Sequence, residues 1–194
     1  MAANMIRDNI DFGLYMESTE AAHKIIPASA YAEEVADYLQ NGEQMHGAML
    51  PWKRTRDKIR FRPGEVTLWS GMNGHGKSLA LGQAMVGFVC QREPVCIASF
   101  EMRPVVTLAR MMRQTAGCRH PDREMVLGVH DVWSEWLWLY DQQGQVHADK
   151  ILAVMRYAAQ ELKVKHFVVD SLMKCGISED DYTAQKLFLD AICI

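Results

Sequence analysis

The chain has 194 residues, of which 49% are hydrophobic and 23% are charged, and its formal net charge at pH 7 is −3. This length suits one domain with a small appendage, and the hydrophobic share is ample for a core. The slightly acidic balance excludes a globally basic nucleic-acid binder, so any contact with DNA or RNA would have to come from a local patch.

The cysteines and the amino terminus bear on the compartment. Five cysteines are scattered without a C-x-x-C pair, which favours a reducing compartment over a zinc site or a disulfide framework. Arg7, Asp8 and Asp11 interrupt the first residues, so we expect no signal peptide, and no apolar run reaches transmembrane length. We therefore expect a cytoplasmic protein without a membrane partner.

Residues 1–50 predict an amino-terminal arm and a helix, with a possible linker. Apolar residues recur at helical spacing from Tyr31 to Leu39, and Asn41-Gly42 provides a stop. This helix could pack on its own domain or on a neighbouring subunit. The sequence does not decide between them, and we favour packing on its own domain.

Residues 51–194 predict the main domain, which opens with a basic run. Positions 53–62 hold six basic residues and one acid. Such a run could touch nucleic-acid phosphates, but it is more often a solvated strand or loop, which we favour. Pro63-Gly64 then indicates a turn.

A glycine-rich stretch after that turn carries the strongest signal. Val66–Ser70 predicts a short strand, and the pattern G-x-x-x-x-G-K-S follows before a helical segment. This pattern is typical of phosphate loops, whose backbone amides and helix amino terminus bind anions. The alternative is a chance glycine turn before a helix. The motif predicts an ATP-binding loop made of Gly71, Met72, Asn73, Gly74, His75, Gly76, Lys77 and Ser78.

Two residues of that loop have specific chemistry. Lys77 supplies a mobile charge for the outer phosphates, and the Ser78 hydroxyl is a ligand suited to Mg²⁺. We therefore predict ATP and Mg²⁺ as the bound groups.

The rest of the chain alternates between strand and helix patterns. The strands are expected at 95–100, 136–140 and 165–170, and the helices at 79–90, from Pro104 onward, at 148–162 and at 181–194. In the helix from Pro104 we expect Val105, Leu108 and Met112 to face inward and Arg110 and Arg113 to face outward. Residues 117–135 show a mixed pattern. Trp133, Trp136 and Trp138 could stack on a base, but core packing is the commoner role of such residues.

Alternation of this kind predicts an α/β fold with a mostly parallel sheet and helices on both faces. Ligands of such folds bind at the carboxyl ends of the strands. Gly71, Glu101 and Asp170 each follow or end a predicted strand. The three residues are therefore expected at one edge of the sheet.

Two acids complete the predicted site. Asp170 ends an aliphatic strand in the form of a Walker B motif and would support the metal opposite Ser78; the alternative is a strand-end aspartate that caps a turn. Ser171 follows it and is no acid, so Glu101 is the carboxylate available to deprotonate the attacking water. The alternative for Glu101 is an exposed acid at a helix start. Our prediction makes Glu101 and Lys77 catalytic, and Ser78 and Asp170 metal ligands.

These motifs together resemble a known family. Residues 64–78, the run Ser99-Phe100-Glu101-Met102-Arg103-Pro104 and the strand 167–172 are similar to the RecA-type ATPase core of replicative hexameric DNA helicases. The resemblance covers about residues 50–194 and is closest to the Twinkle-like and phage primase–helicase branch, a relative of the DnaB-like helicases. It implies Lys77 and Ser78 as phosphate and Mg²⁺ ligands, Glu101 as the base and Asp170 as the metal support.

The resemblance also implies partners and a larger protein. Members of the family form hexameric rings that hydrolyse nucleotide between subunits and pull single-stranded DNA through the centre, here in a bacterial or phage-infected cell. The family's sensor strand, DNA-binding loops and arginine finger cannot be located, so we expect a core that is truncated at its carboxyl end. A RecA-type ATPase that does not unwind DNA and a nucleotide-binding remnant with a structural role are the alternatives.

Overall fold

A parallel β-sheet carries the domain, with helices packed on both of its faces. A computed structural model describes residues 4–6, 11, 13, 27–40, 47–178 and 180–192. The strands are β1 (Asn4–Ile6), β2 (Ala48–Met49), β3 (Arg60–Phe61), β4 (Val95–Ser99), β5 (Leu137–Tyr140) and β6 (His166–Asp170). The helices are α1 (Ala32–Gln40), α2 (Lys77–Cys90), α3 (Pro104–Ala116), α4 (Arg123–Trp133), α5 (Ala148–Gln160) and α6 (Tyr182–Ile192).

The four main strands run in the order β1-β5-β4-β6 and every neighbouring pair is parallel. A separate antiparallel pair joins β2 to β3. Parallel strands need crossover connections, which the helices between β4, β5 and β6 provide.

The central strand β4 explains why the two faces are covered. All five of its residues are buried, as expected for a continuous apolar run in a parallel sheet. Val95 and Ile97 pack into one cluster with α2, α3 and α4, whereas Cys96 and Ala98 pack into a second cluster with α5 and α6. The predicted α/β class with helices on both faces is therefore confirmed.

The helix starts follow local chemistry. Pro104 is the first residue of α3, where its missing N–H costs nothing. The Asp122 carboxylate caps α4 by accepting a hydrogen bond from the Met125 amide at 2.8 Å. Helix α4 lies within residues 117–135, for which the sequence pattern predicted no element.

The inward face of α3 was predicted only in part. Met112 is buried and Leu108 is half-buried, but the side chain of Val105 is 65% exposed, so its predicted inward position was wrong. Thr107 and Met111 are the buried residues in the first turns instead. Val105, in the first turn of α3, instead lines an open groove between α3 and α4.

The strand predicted at Val66–Ser70 is not formed, and this is the main correction to the sequence-based fold. The segment has no regular secondary structure and joins neither sheet, and Leu68 is 72% exposed. It lies across a cleft from β6, which is the edge of the sheet on that side. Strand propensity alone does not hold a segment in a ladder, because its backbone needs a hydrogen-bonding neighbour.

Helix α1 forms where the sequence predicted it, but it does not pack as we expected. None of its residues is buried, and Val35, Tyr38 and Leu39 are all more than half exposed. The favoured packing on its own domain was therefore wrong for this structure. The predicted stop at Asn41-Gly42 lies outside the described residues.

The tryptophans at 133–138 were expected in the core, and the basic run 53–62 was expected on the solvated surface. Trp133 is 2% exposed within the cluster of α2, α3 and α4, so its core role is confirmed. The basic run 53–62 forms turns and then β3, and most of its residues are exposed. Within the described part of the chain, no helix is both long and apolar enough to span a bilayer.

Candidate functional site

The order of the strands creates a crevice at the carboxyl end of the sheet. From β4 the chain passes to β5 on one side, while β6 lies on the other side of β4. Helix α3 follows β4 on one face, and α6 follows β6 on the opposite face. The carboxyl ends of β4 and β6 therefore form a topological switch point, the place where open α/β sheets bind ligands.

The two predicted acids lie at this switch point. Ser99 is paired with Asp170 in the ladder between β4 and β6, and the Phe100 amide donates to the Asp170 carbonyl at 2.8 Å. Glu101 follows directly, and its Oε1 accepts a hydrogen bond from the Ser171 hydroxyl at 2.9 Å. The ladder therefore sets the two carboxylates side by side and fixes the orientation of one of them.

The glycine-rich loop lies on the other side of the cleft, and two of its glycines have left-handed backbone angles. Gly74 and Gly76 have φ angles of +82° and +81°, in the left-handed region that favours glycine. Gly76 is the residue that precedes α2 as its N-cap. The loop consequently turns back at the start of α2, where free backbone amides and the helix dipole attract anions.

The Lys77 ammonium lies within this loop. Its Nζ donates to the Gly71 carbonyl at 2.6 Å, to the Met72 carbonyl at 3.1 Å and to the Asn73 Oδ1 at 3.4 Å. An ammonium has three donor hydrogens, so its capacity is fully used by uncharged oxygens. An anion can replace these partners with stronger, charge-assisted hydrogen bonds.

One hydrogen bond joins the loop side of the cleft to the acid side. The Ser78 hydroxyl, in the first turn of α2, donates to Asp170 Oδ1 at 3.3 Å. Ninety-two positions separate the two residues in the chain. A hydroxyl and a carboxylate oxygen at this distance can ligate the same small cation.

The environment of Asp170 disfavours its charge. Burial raises the pKa of the Asp170 carboxyl, and the neighbouring Glu101 carboxylate raises it further. The hydrogen bond from Ser78 and the positive charges of Lys77 and Arg110 lower the pKa, but they do not outweigh burial. A cation bound beside Asp170 would therefore stabilise the ionised carboxylate.

A cleft of about 1020 Å³ brings the predicted residues together. Lys77, Ser78, Glu101 and Asp170 all line it, with Gly71, Asn73, Gly74 and Gly76 from the loop. Met72 and His75, which we also predicted to contact nucleotide, do not line the cleft, and Met72 is 72% exposed. Within the turn, the His75 amide donates a hydrogen bond to the Met72 carbonyl at 3.3 Å.

Ser171 and Arg110 line the cleft but were not among the predicted site residues. Ser171 orients Glu101, and its position next to Asp170 was a signal that could have suggested contact with the catalytic edge. Arg110 lines the cleft from α3, although we expected it only to face outward. It does face solvent, but its side of the helix also borders the cleft.

The donor atoms fit a hard divalent cation. Serine and aspartate oxygens suit Mg²⁺, which keeps several waters and uses one or two protein ligands together with substrate phosphates. Within the described residues, no group of three or more histidine, cysteine, aspartate or glutamate side chains is placed to hold a metal. The pair Ser78 and Asp170 supplies two oxygen atoms of the kind that Mg²⁺ prefers.

No model of a known protein family matches this chain.

Proposed function

We propose that this protein binds a Mg²⁺–nucleoside triphosphate, with ATP as the expected substrate, and hydrolyses its terminal phosphate. The observation that carries the proposal is the convergence of Lys77, Ser78, Glu101 and Asp170 on one cleft at the switch point of the sheet. Each of these residues was selected from the sequence for a role in that chemistry. A chance glycine turn would not bring a metal-type aspartate within 3.3 Å of the serine hydroxyl.

Substrate binding begins at the loop. Lys77 exchanges the Gly71 and Met72 carbonyls for oxygens of the outer phosphates, while amides of the loop and of the first turn of α2 donate to the same anion. Ser78 and Asp170 would hold Mg²⁺. When bound, Mg²⁺ neutralises charge on the phosphate oxygens and orients them for attack.

Glu101 has the position of the general base. Ser171 holds its Oε1, so the other carboxylate oxygen remains for a water molecule in the cleft. Glu101 accepts a proton from that water as the water oxygen forms a bond to the terminal phosphorus. The bond from this phosphorus to the bridging oxygen breaks, and the electron pair leaves with the nucleoside diphosphate.

The larger function rests on the resemblance of the motifs to replicative helicases. On that basis we propose that the ATPase is the motor core of a DNA helicase, which acts on single-stranded DNA as a hexameric ring. The run from Ser99 to Pro104 supports this assignment, because Glu101 follows β4 inside the cleft.

The nucleotide site is tested by titrating Mg²⁺–ATP into the protein and its Lys77→Ala variant by calorimetry. Loss of the ammonium should weaken binding by about a hundredfold or more, as for other charged groups that pair with an anion inside a site. Lys163→Ala is the matched control, because Lys163 also donates its Nζ to a backbone carbonyl, that of Gln160 at 2.7 Å, but precedes β6 at the opposite edge of the sheet. Equal affinity in all three proteins would defeat the assignment.

The helicase proposal has a separate test. ATP hydrolysis and separation of a forked duplex are measured with and without single-stranded DNA. The proposal expects hydrolysis to rise with DNA and the strands to separate. Hydrolysis that rises without strand separation supports the non-unwinding ATPase instead, and binding without hydrolysis supports the nucleotide-binding remnant.

A further inference from the structure

Arg110 is a positively charged residue of the cleft that the hydrolysis scheme does not use. Two other unused basic residues of the cleft form ion pairs, Arg62 with Glu65 and Lys165 with Glu93. Arg110 lies in the second turn of α3 and lines the same cleft as Lys77, Glu101 and Asp170. Its side chain is exposed, so a ligand that enters the cleft can reach it.

The packing of α3 on α2 sets the direction of this side chain. One turn after Arg110, the Gln114 Nε2 donates to the Leu79 carbonyl of α2 at 2.8 Å. A Cβ on Gly82 would lie 3.4 Å from Gln114 Oε1, so the two helices are in close contact on this side. Position 110 is on the same face of α3 as position 114, one turn nearer the start of the helix.

The start of α3 lies at the same edge of the sheet as Glu101 and Asp170. Helices α2 and α3 both begin at the carboxyl edge of the sheet, after Gly76 and Arg103. Long side chains on a helix point towards its amino terminus. In line with this tendency, the Arg110 side chain lines the cleft together with Glu101 and with Lys77 and Ser78 of the first turn of α2.

The guanidinium is also available to a ligand. In the described parts of the chain no hydrogen bond or ion pair is formed by Arg110, whereas Arg113 one turn later donates its Nε to the Arg119 carbonyl at 3.2 Å. The charge of Arg110 nevertheless reaches the site, since it helps to lower the pKa of Asp170.

We propose that Arg110 binds the terminal phosphate of the bound nucleoside triphosphate and thereby makes the site prefer triphosphate over diphosphate. This proposal rests on the proposed function. Lys77 approaches the phosphates from the loop, and Arg110 approaches from the Glu101 side, where only the terminal group extends. A planar guanidinium can give two parallel hydrogen bonds to such a group, which a lysine in its place cannot. The cation comes from the same chain as the phosphate loop.

Calorimetric titration with Mg²⁺–ATP and Mg²⁺–ADP tests the assignment. Arg110→Ala should weaken Mg²⁺–ATP binding by about tenfold or more and change Mg²⁺–ADP binding by less than about twofold. The affinity of Arg110→Lys for Mg²⁺–ATP should lie between those of the unchanged protein and Arg110→Ala. Lysine keeps the charge but cannot give two parallel hydrogen bonds. Arg113→Ala removes the same charge from the next turn of α3 and should leave both affinities unchanged.

The possible results distinguish failure of the role of Arg110 from failure of the proposed function. If the unchanged protein binds neither nucleotide, the proposed function fails and the role of Arg110 fails with it. If the unchanged protein binds both and Arg110→Ala keeps the same ratio of affinities, only the role of Arg110 is overturned. A matched loss for ATP and ADP would likewise overturn it, since it would place Arg110 at the inner phosphates or in the fold.

Discussion

The two sides of the cleft are built differently. On the acid side, β4 and β6 are hydrogen-bonded residue by residue up to Ser99 and Asp170, and Ser171 fixes Glu101. On the loop side, the segment from Val66 to Gly71 belongs to neither sheet of the described residues. Among these residues, the Lys77 ammonium donates only to oxygens of its own loop. The hydrogen bond from Ser78 to Asp170 connects them.

Under the proposed function, this difference gives the two sides separate tasks. A fixed carboxylate keeps the geometry that proton transfer needs, because small displacements of a catalytic group cost large factors in rate. A loop whose lysine is bound to exchangeable carbonyls can close on an anion of variable position. Substitutions on the acid side should therefore change turnover, and substitutions in the loop should change affinity.

The largest effect is expected at Glu101. Glu101→Gln keeps the size and the hydrogen bond from Ser171 but cannot accept a proton, so kcat for ATP hydrolysis should fall by about 10²- to 10⁴-fold. Affinity for Mg²⁺–ATP should remain. Steady-state hydrolysis and a binding titration on the same variant give both values.

Glu135→Gln is the matched control for this experiment, because Glu135 is exposed and lies before β5, at the opposite edge of the sheet. It should leave kcat unchanged. Unaltered turnover in Glu101→Gln would remove Glu101 from the base role, and the acid side would lose its assigned task.

A smaller effect is expected in the loop. Gly76→Ala places a side chain at φ +81°, although no atom lies within 4 Å of the new Cβ. The left-handed conformation costs a non-glycine residue roughly 1–2 kcal/mol, so Mg²⁺–ATP binding should weaken by about five- to thirtyfold. The turnover of bound substrate should change much less.

A glycine-to-alanine substitution inside helix α4 should stabilise the protein instead. Gly128, in α4, also has no atom within 4 Å of a new Cβ, but it has an ordinary helical backbone. Gly128→Ala should raise the free energy of unfolding by roughly 0.5–1 kcal/mol and leave binding unchanged. Equal affinities in Gly76→Ala and Gly128→Ala would contradict the proposed geometry of the loop.

The smallest effect concerns the stability of the metal-free protein at Asp170. Because the folded-state pKa of Asp170 is raised above its usual 3.8, the folded protein holds this proton more tightly than the unfolded chain. The protonated form contributes stability in full below pH 3.8, and that contribution is lost as the pH rises through the folded pKa. At pH 7 the ionised carboxylate therefore destabilises the fold.

Asp170→Asn removes that charge and keeps an oxygen for Ser78. With EDTA present at pH 7, its Tm should exceed that of the unchanged protein by about 1–3 °C, a small value because Asp170 is only half-buried. The difference should disappear below pH 3.8. A Tm difference of the same size at both pH values would mean that charge is not its cause.

Much of this fold was predictable from local patterns. Continuous apolar runs predicted β4 and β6, and Pro104 marked the start of α3. Helix α4 was missed although Asp122 before spaced Val126, Val129 and Trp133 is a helix signal. Polar and apolar residues alternate irregularly in α4, so the helical spacing of its apolar residues was not recognised.

The remaining differences depend on distant partners. Val66–Ser70 has strand propensity, but whether it pairs is decided by what lies beside β6. The side chain of Arg110 faces both solvent and cleft because α3 packs on α2 through Gln114. In the site, the motifs predicted Lys77, Ser78, Glu101 and Asp170. Ser171 could not be predicted in the same way, because its hydrogen bond to Glu101 depends on tertiary packing.

The most direct test of the account is backbone cleavage by Fe²⁺ that replaces Mg²⁺ in the presence of ATP, with ascorbate and peroxide to generate hydroxyl radicals. The radicals cut the chain only close to the metal, and the fragments are identified by mass. A metal shared by the two sides of the cleft should give cuts near Ser78, Glu101 and Asp170 together, all suppressed by excess Mg²⁺. Cuts confined to one side of the cleft, or cuts that Mg²⁺ does not suppress, would contradict a shared metal and phosphate site.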